Sequence, residues 1–204
     1  MDFAPLLKAI KGKDFSPLYL LHGDEAWFID KLEAAIEAHA LQEHERAFNQ
    51  TILYGKDTEF LQVIDAARRF PMMADRQLVI LREAQDMRSL KELAAYAEKP
   101  SPSTVLVICH KHKKLNGNTV LAKNLKKNGV VFEAKSLYDN KIPGWINTYL
   151  KGKKYGIDPE ASNLLGEFLG TSLGKISNEL DKLIINLKPG TIITAKIVED
   201  RVCL

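Results

Sequence analysis

The segment Phe70-Pro71-Met72-Met73-Ala74-Asp75-Arg76-Gln77-Leu78-Val79-Ile80-Leu81 joins a helix-like stretch to a strand-like one. Its second half is continuously apolar, as expected of a strand buried on both faces in a parallel sheet covered by helices. Its first half places two adjacent methionines after a proline, in a short connection where polar turn residues are the default. Two readings of Met72 and Met73 stand side by side. In one they cap the core; in the other they form an exposed anchor for a partner's groove, a use that suits soft, adaptable side chains.

Upstream, Leu18-Tyr19-Leu20-Leu21 runs into His22-Gly23, and apolar Ile29, Leu32 and Ile36 follow at helical spacing. This predicts strand, glycine turn and helix, with Asp24 in place to cap the helix. Phe48 to Tyr54 reads as a second strand. Asp57 opens a helix carrying Phe60, Leu61, Ile64 and Ala67 on one side and ending at Pro71. Downstream, Ser89-Leu90-Lys91-Glu92 has the form of a capping box, before a helix with Leu90, Leu93, Ala94 and Ala97. Strands are predicted at Thr104 to Cys109 and Val130 to Phe132, with a helix at Val120 to Lys127 between them. Five strands alternating with helices define an α/β class with a parallel sheet.

From Tyr138 the pattern becomes helical: Ile142 to Leu150, a helix opened by Pro159 with Leu164, Leu165 and Phe168, and one carrying Leu173, Ile176, Leu180, Leu183, Ile184 and Leu187. The chain is therefore divided into an α/β domain, 1–137, and a small all-helical domain, 138–204. A last helix from Thr194 meets Leu204 with no closing signal, which reads as a chain cut from a longer one.

With 204 residues, 46% hydrophobic and 27% charged, the sequence matches an ordinary globular protein. No run approaches the ~18 apolar residues of a membrane helix, and Met1-Asp2-Phe3-Ala4-Pro5 lacks the form of a signal peptide, so a cytoplasmic protein is expected. Cys109 and Cys203 are expected to be reduced thiols. The net charge of +3 is unevenly spread: −4 over residues 1–109, +9 over 110–157 and −2 over 158–204. The central lysines suit phosphate backbones, or equally a solvated face.

Strand, glycine turn and helix invite a phosphate-loop reading. From Gly23, the pattern GxxxxGK(S/T) requires glycine at position 28, lysine at 29 and a hydroxyl residue at 30. The chain has Phe28, Ile29 and Asp30, and Asp24, Glu25 and Asp30 place negative charge where phosphates would sit. The third strand is followed by Arg82-Glu83 rather than an acidic pair for magnesium, and Glu83 reads as a surface charge. His110 and His112 lie two apart without an acidic or Cys ligand close in sequence, a weak metal signal. His22, His39 and His44 read as helix-surface or satisfied turn residues. No GxSxG elbow or CxxC pair occurs.

Three segments carry a resemblance: Pro17-Leu18-Tyr19-Leu20-Leu21-His22-Gly23-Asp24-Glu25, the Phe70 to Leu81 stretch, and Asn178-Glu179-Leu180-Asp181-Lys182-Leu183. Together, in this order, they resemble the delta subunit of the bacterial DNA polymerase III clamp loader, over essentially the whole chain. The resemblance implies an AAA+-like five-stranded parallel sheet without a functional phosphate loop, then a helical lid domain. The resemblance further implies that the family's third, collar domain, which assembles the pentameric loader, is expected to be missing from this stretch of chain. No catalysis and no cofactor are expected, and ATP is not expected to bind this subunit. Met72 and Met73, standing where the family often has Leu-Phe, are the expected clamp-binding pair, with Phe70 and Pro71 beside them. The implied partners are the sliding clamp (beta subunit), the gamma/tau and delta prime subunits mainly through the collar, and primer-template DNA. Lys111, Lys113, Lys114, Lys123, Lys126 and Lys127 are candidate contacts to DNA phosphates. Alternatives are a divergent nucleotide-binding ATPase, a stand-alone basic nucleic-acid module, and a purely architectural subunit with the methionines in the core.

Overall fold

The run at 77–81 forms an interior strand, buried on both faces. The computed structural model describes residues 2–201; Cys203, expected as a second reduced thiol, lies outside them. The chain forms two compact units, Met1–Lys135 and Ser136–Leu204.

In the first unit the order is α1 (Phe3–Lys11), β1 (Leu18–Gly23), α2 (Ala26–Ala40), α3 (Glu43–Asn49), β2 (Gln50–Tyr54), α4 (Phe60–Arg68), β3 (Gln77–Arg82), α5 (Ala94–Glu98), β4 (Thr104–Lys111), α6 (Val120–Asn128) and β5 (Val130–Ala134). The five strands are parallel, in the order β2-β3-β4-β1-β5. Alternate residues of each strand serve opposite faces. Tyr19, Leu21, Leu78, Ile80, Val105 and Val107 pack with Leu6 and Ile10 of α1 and Ile29, Leu32 and Ile36 of α2. Leu18, Leu20, Val79, Leu81, Leu106 and Ile108 pack with Val63 and Ala67 of α4, Tyr96 of α5, and Leu121 and Leu125 of α6. Each such apolar side chain contributes about 2 kcal/mol on burial, which is why the strand runs lack polar alternation.

Several local expectations are corrected. Helix α1 was not foreseen. Phe48 does not begin a strand: it lies in α3, whose capping box pairs Gln42 with Glu45. Helix α2 is capped by Glu25, whose carboxylate accepts from the Trp27 N–H, rather than by Asp24. Helix α4 starts at a Glu59 and Gln62 capping box, not at Asp57, which belongs to a short 3-10 turn; Leu61 faces solvent while Val63, Ala66 and Ala67 are buried. Ser89 does not cap its own segment, which is 3-10 over Leu90–Leu93. Its hydroxyl accepts from the Phe60 N–H and donates to Glu59, so it ties down the start of α4 instead.

The second unit holds α7 (Ile142–Gly152), β6 (Gly156–Ile157), α8 (Pro159–Leu169), α9 (Leu173–Ile184), β7 (Ile192–Ile193) and α10 (Ala195–Arg201). Its core gathers Ile142, Ile146, Leu150, Leu165, Leu173, Ile176, Leu180, Leu183 and Val198. Asp158 caps α8 through the Ala161 N–H, with Pro159 in the first turn. Phe168, expected on the apolar side of α8, is exposed. The two-residue strands β6 and β7 add a short parallel pair to an otherwise helical unit.

Candidate functional site

Residues 69–76 connect α4 to β3, so the methionine loop sits at the rim formed by the amino ends of the strands. Ligands of open α/β sheets ordinarily bind at the other rim, outside the carboxyl ends. On this loop Phe70 is 88% exposed, Met72 60% and Met73 101%, with Pro71 half-buried. Of the two readings of the methionines, the core reading is excluded.

The backbone beneath these side chains is held by buried amides. Asn49, the last residue of α3 and 3% exposed, accepts the Met72 N–H at 2.6 Å and donates to the Met72 carbonyl at 2.9 Å. Its second amide hydrogen goes to the Glu45 carbonyl, 3.0 Å away. At the loop's other end, Gln77 donates to the Arg69 carbonyl at 2.5 Å and to the Thr104 hydroxyl at 3.0 Å. Thr104 in turn donates to the Ala67 carbonyl, 2.7 Å away. The Arg76 guanidinium lies 5.0 Å from the centre of the Phe15 ring. Met73 takes a left-handed φ of 52°. The sequence showed the apolar handle; Asn49 and Gln77 carried no local signal, since each acts across 23 and 8 residues respectively.

The opposite rim, where a phosphate loop would lie, is closed by the protein itself. Gly23 has φ 131°, and a Cβ there would meet the Ala134 carbonyl oxygen at 2.2 Å. That oxygen accepts the Asp24 and Glu25 N–H groups at 2.9 and 3.2 Å, the donors that a phosphate cradle would need. Next to it, the Lys111 ammonium sits 2.8 Å from Asp30 and 2.9 Å from Glu83. Glu83 is therefore not a free surface charge; it holds a left-handed φ of 50°. Burial opposes the charge on Lys111, yet the hydrogen bonds to Asp30 and Glu83 outweigh it and raise its pKa. Arg82 pairs with Glu33 at 2.5 Å and Glu37 at 3.2 Å. The buried Cys109 thiol donates to Glu33, 3.3 Å away, and burial pushes its pKa well up.

The candidate DNA-contacting lysines separate. Lys111 is removed from that set, because its ammonium is enclosed by two carboxylates. Lys114 is exposed but paired with Glu133 at 2.5 Å. Lys113, Lys123, Lys126 and Lys127 face solvent. Lys114, Lys123 and Lys126, with Lys135 and His22, border one cleft of about 910 Å³ between α6 and the carboxyl ends of β1 and β5. His22 is buried there and accepts the Leu115 N–H at Nδ1, 3.2 Å. His110 is buried in β4, with Nδ1 3.0 Å from the Lys113 carbonyl, while His112 lies beyond the strand at φ 63° and is exposed. The two do not share a face. Among the described residues no cluster of three or more His, Cys, Asp or Glu is arranged to hold a metal, and no helix is long and apolar enough to cross a membrane.

Comparison with known proteins bears on the family and the fold. The chain is 26% identical over 186 residues to DNA polymerase III subunit delta of Bacillus subtilis (strain 168), covering 86% of this chain and 54% of the relative. It thus spans about half the length of that relative. The structure of the Bacillus subtilis DNA clamp loader delta protein is similar over 98% of this chain and 62% of that one, with TM-score 0.78 and 25% identity. The Thermotoga maritima RuvB Holliday junction branch migration motor shares the fold, at TM-score 0.54 and 13% identity over 98% of this chain and 65% of that one. A family model described as DNA polymerase III, delta subunit, matches residues 19–135, more than half of the sequence. The chain belongs to the DNA polymerase III delta subunit family.

Proposed function

We infer that this chain is the clamp-binding part of a clamp loader, and that Phe70, Met72 and Met73 insert into an apolar pocket on a ring-shaped sliding clamp. The observation that carries this reading is their exposure on a loop whose backbone is held from below. Large side chains in water cost free energy unless something covers them, and a few buried anchors usually dominate a protein contact. The mechanism is differential binding. A loop that binds the opened ring better than the closed one shifts the ring toward opening, by no more than the difference in affinity.

The subunit needs no chemical step for this and takes no ATP. That the Ala134 carbonyl takes the Asp24 and Glu25 N–H groups, and that the Lys111 ammonium lies between Asp30 and Glu83, supports that reading. ATP hydrolysis belongs to neighbouring subunits, reached through a further collar domain, and the whole assembly works in the cytoplasm. Lys113, Lys114, Lys123, Lys126 and Lys127 then face the phosphates of primer-template DNA.

The test is surface plasmon resonance of the 204-residue chain against a purified bacterial sliding clamp. A Met72→Ser, Met73→Ser variant, its fold checked by circular dichroism, runs alongside. Truncating one anchor costs about 2 kcal/mol, roughly thirtyfold in affinity, so the double variant is expected to show no measurable binding. Equal binding by the two proteins would put the contact elsewhere and overturn the reading.

A further inference from the structure

The Met72 backbone is gripped from both sides by one buried side chain. Asn49 makes three hydrogen bonds locally: its Oδ1 accepts the Met72 N–H, and its amide group donates to the Met72 carbonyl and to the Glu45 carbonyl of its own helix. That third bond fixes the amide's orientation, so α3 works as a mount. The next residue, Met73, is held in the left-handed region, at φ 52°, where a side chain with a Cβ is strained. Gln77 and Arg76 secure the exit. A loop with three exposed apolar side chains gains by collapsing them onto the protein, and a strained residue gains by relaxing. Both tendencies are opposed by the same amide.

We propose that Asn49 is the positioning residue of the clamp-binding loop, holding it in its binding conformation before any partner arrives. This rests on the clamp-binding reading above. Asn49 is buried and touches no partner itself; it acts through Met72. Only a carboxamide fits, because an aspartate keeps the acceptor but loses both donors, and a serine is too short to span Met72 and Glu45.

The two roles differ in kinetics. If Asn49 sets the fraction of chains with a competent loop, its loss lowers the association rate in proportion to that fraction and leaves the bound complex intact. If it merely supports the fold or the contact, dissociation or stability changes instead. The experiment therefore compares Asn49→Ala, Asn49→Asp and the wild-type chain by surface plasmon resonance against the clamp, and by hydrogen exchange at the Met72 amide without it. Both variants are expected to lose roughly tenfold in affinity, carried by the association rate, with dissociation within about twofold of wild type. The Met72 amide should exchange faster in Asn49→Ala, while the amides of Leu78 to Leu81 keep their protection. Where the alanine variant fails to fold, the uncharged Asn49→Ser variant, too short to reach both Met72 and Glu45, carries the test.

Wild-type association rates in both variants, or a loss confined to dissociation, would overturn the positioning role. A wild-type chain that binds no clamp overturns the clamp reading. In that case Met72 protection lost on Asn49→Ala would still separate a failed partner assignment from a failed account of the loop.

Discussion

The Lys111 ammonium lies 2.8 Å from the Asp30 carboxylate, joining the end of β4 to the first turns of α2. Asp30 stands seven residues after Gly23, where a phosphate loop carries the Ser or Thr that holds magnesium. The same ammonium is 2.9 Å from Glu83, just past the end of β3, where such a protein carries its second metal-holding group. A side-chain cation thus bridges the two elements that a nucleotide-bound metal would otherwise connect.

Replacing that cation should expose the arrangement. Lys111→Met leaves two carboxylates facing each other across an apolar chain, and the first unit should lose about 1–2 kcal/mol, allowing for the partial exposure of Asp30. Millimolar magnesium should raise the melting temperature of the variant and leave that of the wild type unchanged. Equal responses in a thermal scan by circular dichroism would remove the idea.

Gly23 and Gly117 make a paired test of the closed rim. A Cβ at Gly23 meets the Ala134 carbonyl at 2.2 Å with φ 131°, so Gly23→Ala should cost about 2 kcal/mol or more. A Cβ at Gly117 meets nothing within 4 Å, and Gly117→Ala should stay within about 0.5 kcal/mol of wild type. Urea midpoints of the two variants decide the matter; similar midpoints would mean that the rim yields easily.

Burial lowers the pKa values of both His22 and His110. Each binds fewer protons folded than unfolded, so each contributes stability that is present above the unfolded value of about 6.5 and lost as pH falls through the folded one. Stability should therefore decline from pH 7 toward 5, with a slope of at most about 1.4 kcal/mol per pH unit for each histidine. His22→Asn keeps an acceptor for the Leu115 N–H and should flatten part of that slope; an unchanged slope would assign it to other groups.

The lysines of α6 separate a DNA-facing surface from a merely solvated one. Changing Lys123, Lys126 and Lys127 to Gln should weaken binding to primed DNA without regard to sequence and lower the salt slope by roughly 0.9 for each lost contact. Lys126 and Lys127 also sit in the helix's last turn, where a cation favours the dipole by about 0.3–1 kcal/mol. A variant with lower stability but unchanged DNA affinity would leave these lysines with that structural role alone.

The strand runs at 18–21, 78–81 and 105–109 were legible because burial on both faces demands unbroken apolar sequence, and five strands between helices set the α/β class. The lack of a phosphate loop was equally plain, with Phe28, Ile29 and Asp30 at its three deciding positions. Helices α1 and α3 were not, since the first has only two buried residues and the second is seven residues long with one. Glu83 reads as a surface charge in the sequence because its partner Lys111 is 28 residues away.

By itself the sequence determined the periodicities, the class, the departure from the GxxxxGK(S/T) pattern and an apolar pair at Met72 and Met73, all of which are local properties of spacing and residue type. Only the tertiary structure decided that the pair is displayed rather than buried, that Asn49 grips Met72 across 23 residues, and that Lys111 is enclosed rather than free. Hydrogen bonds and ion pairs of that kind depend on which chain segments the sheet order brings together, and pairing over such distances leaves no mark in local pattern.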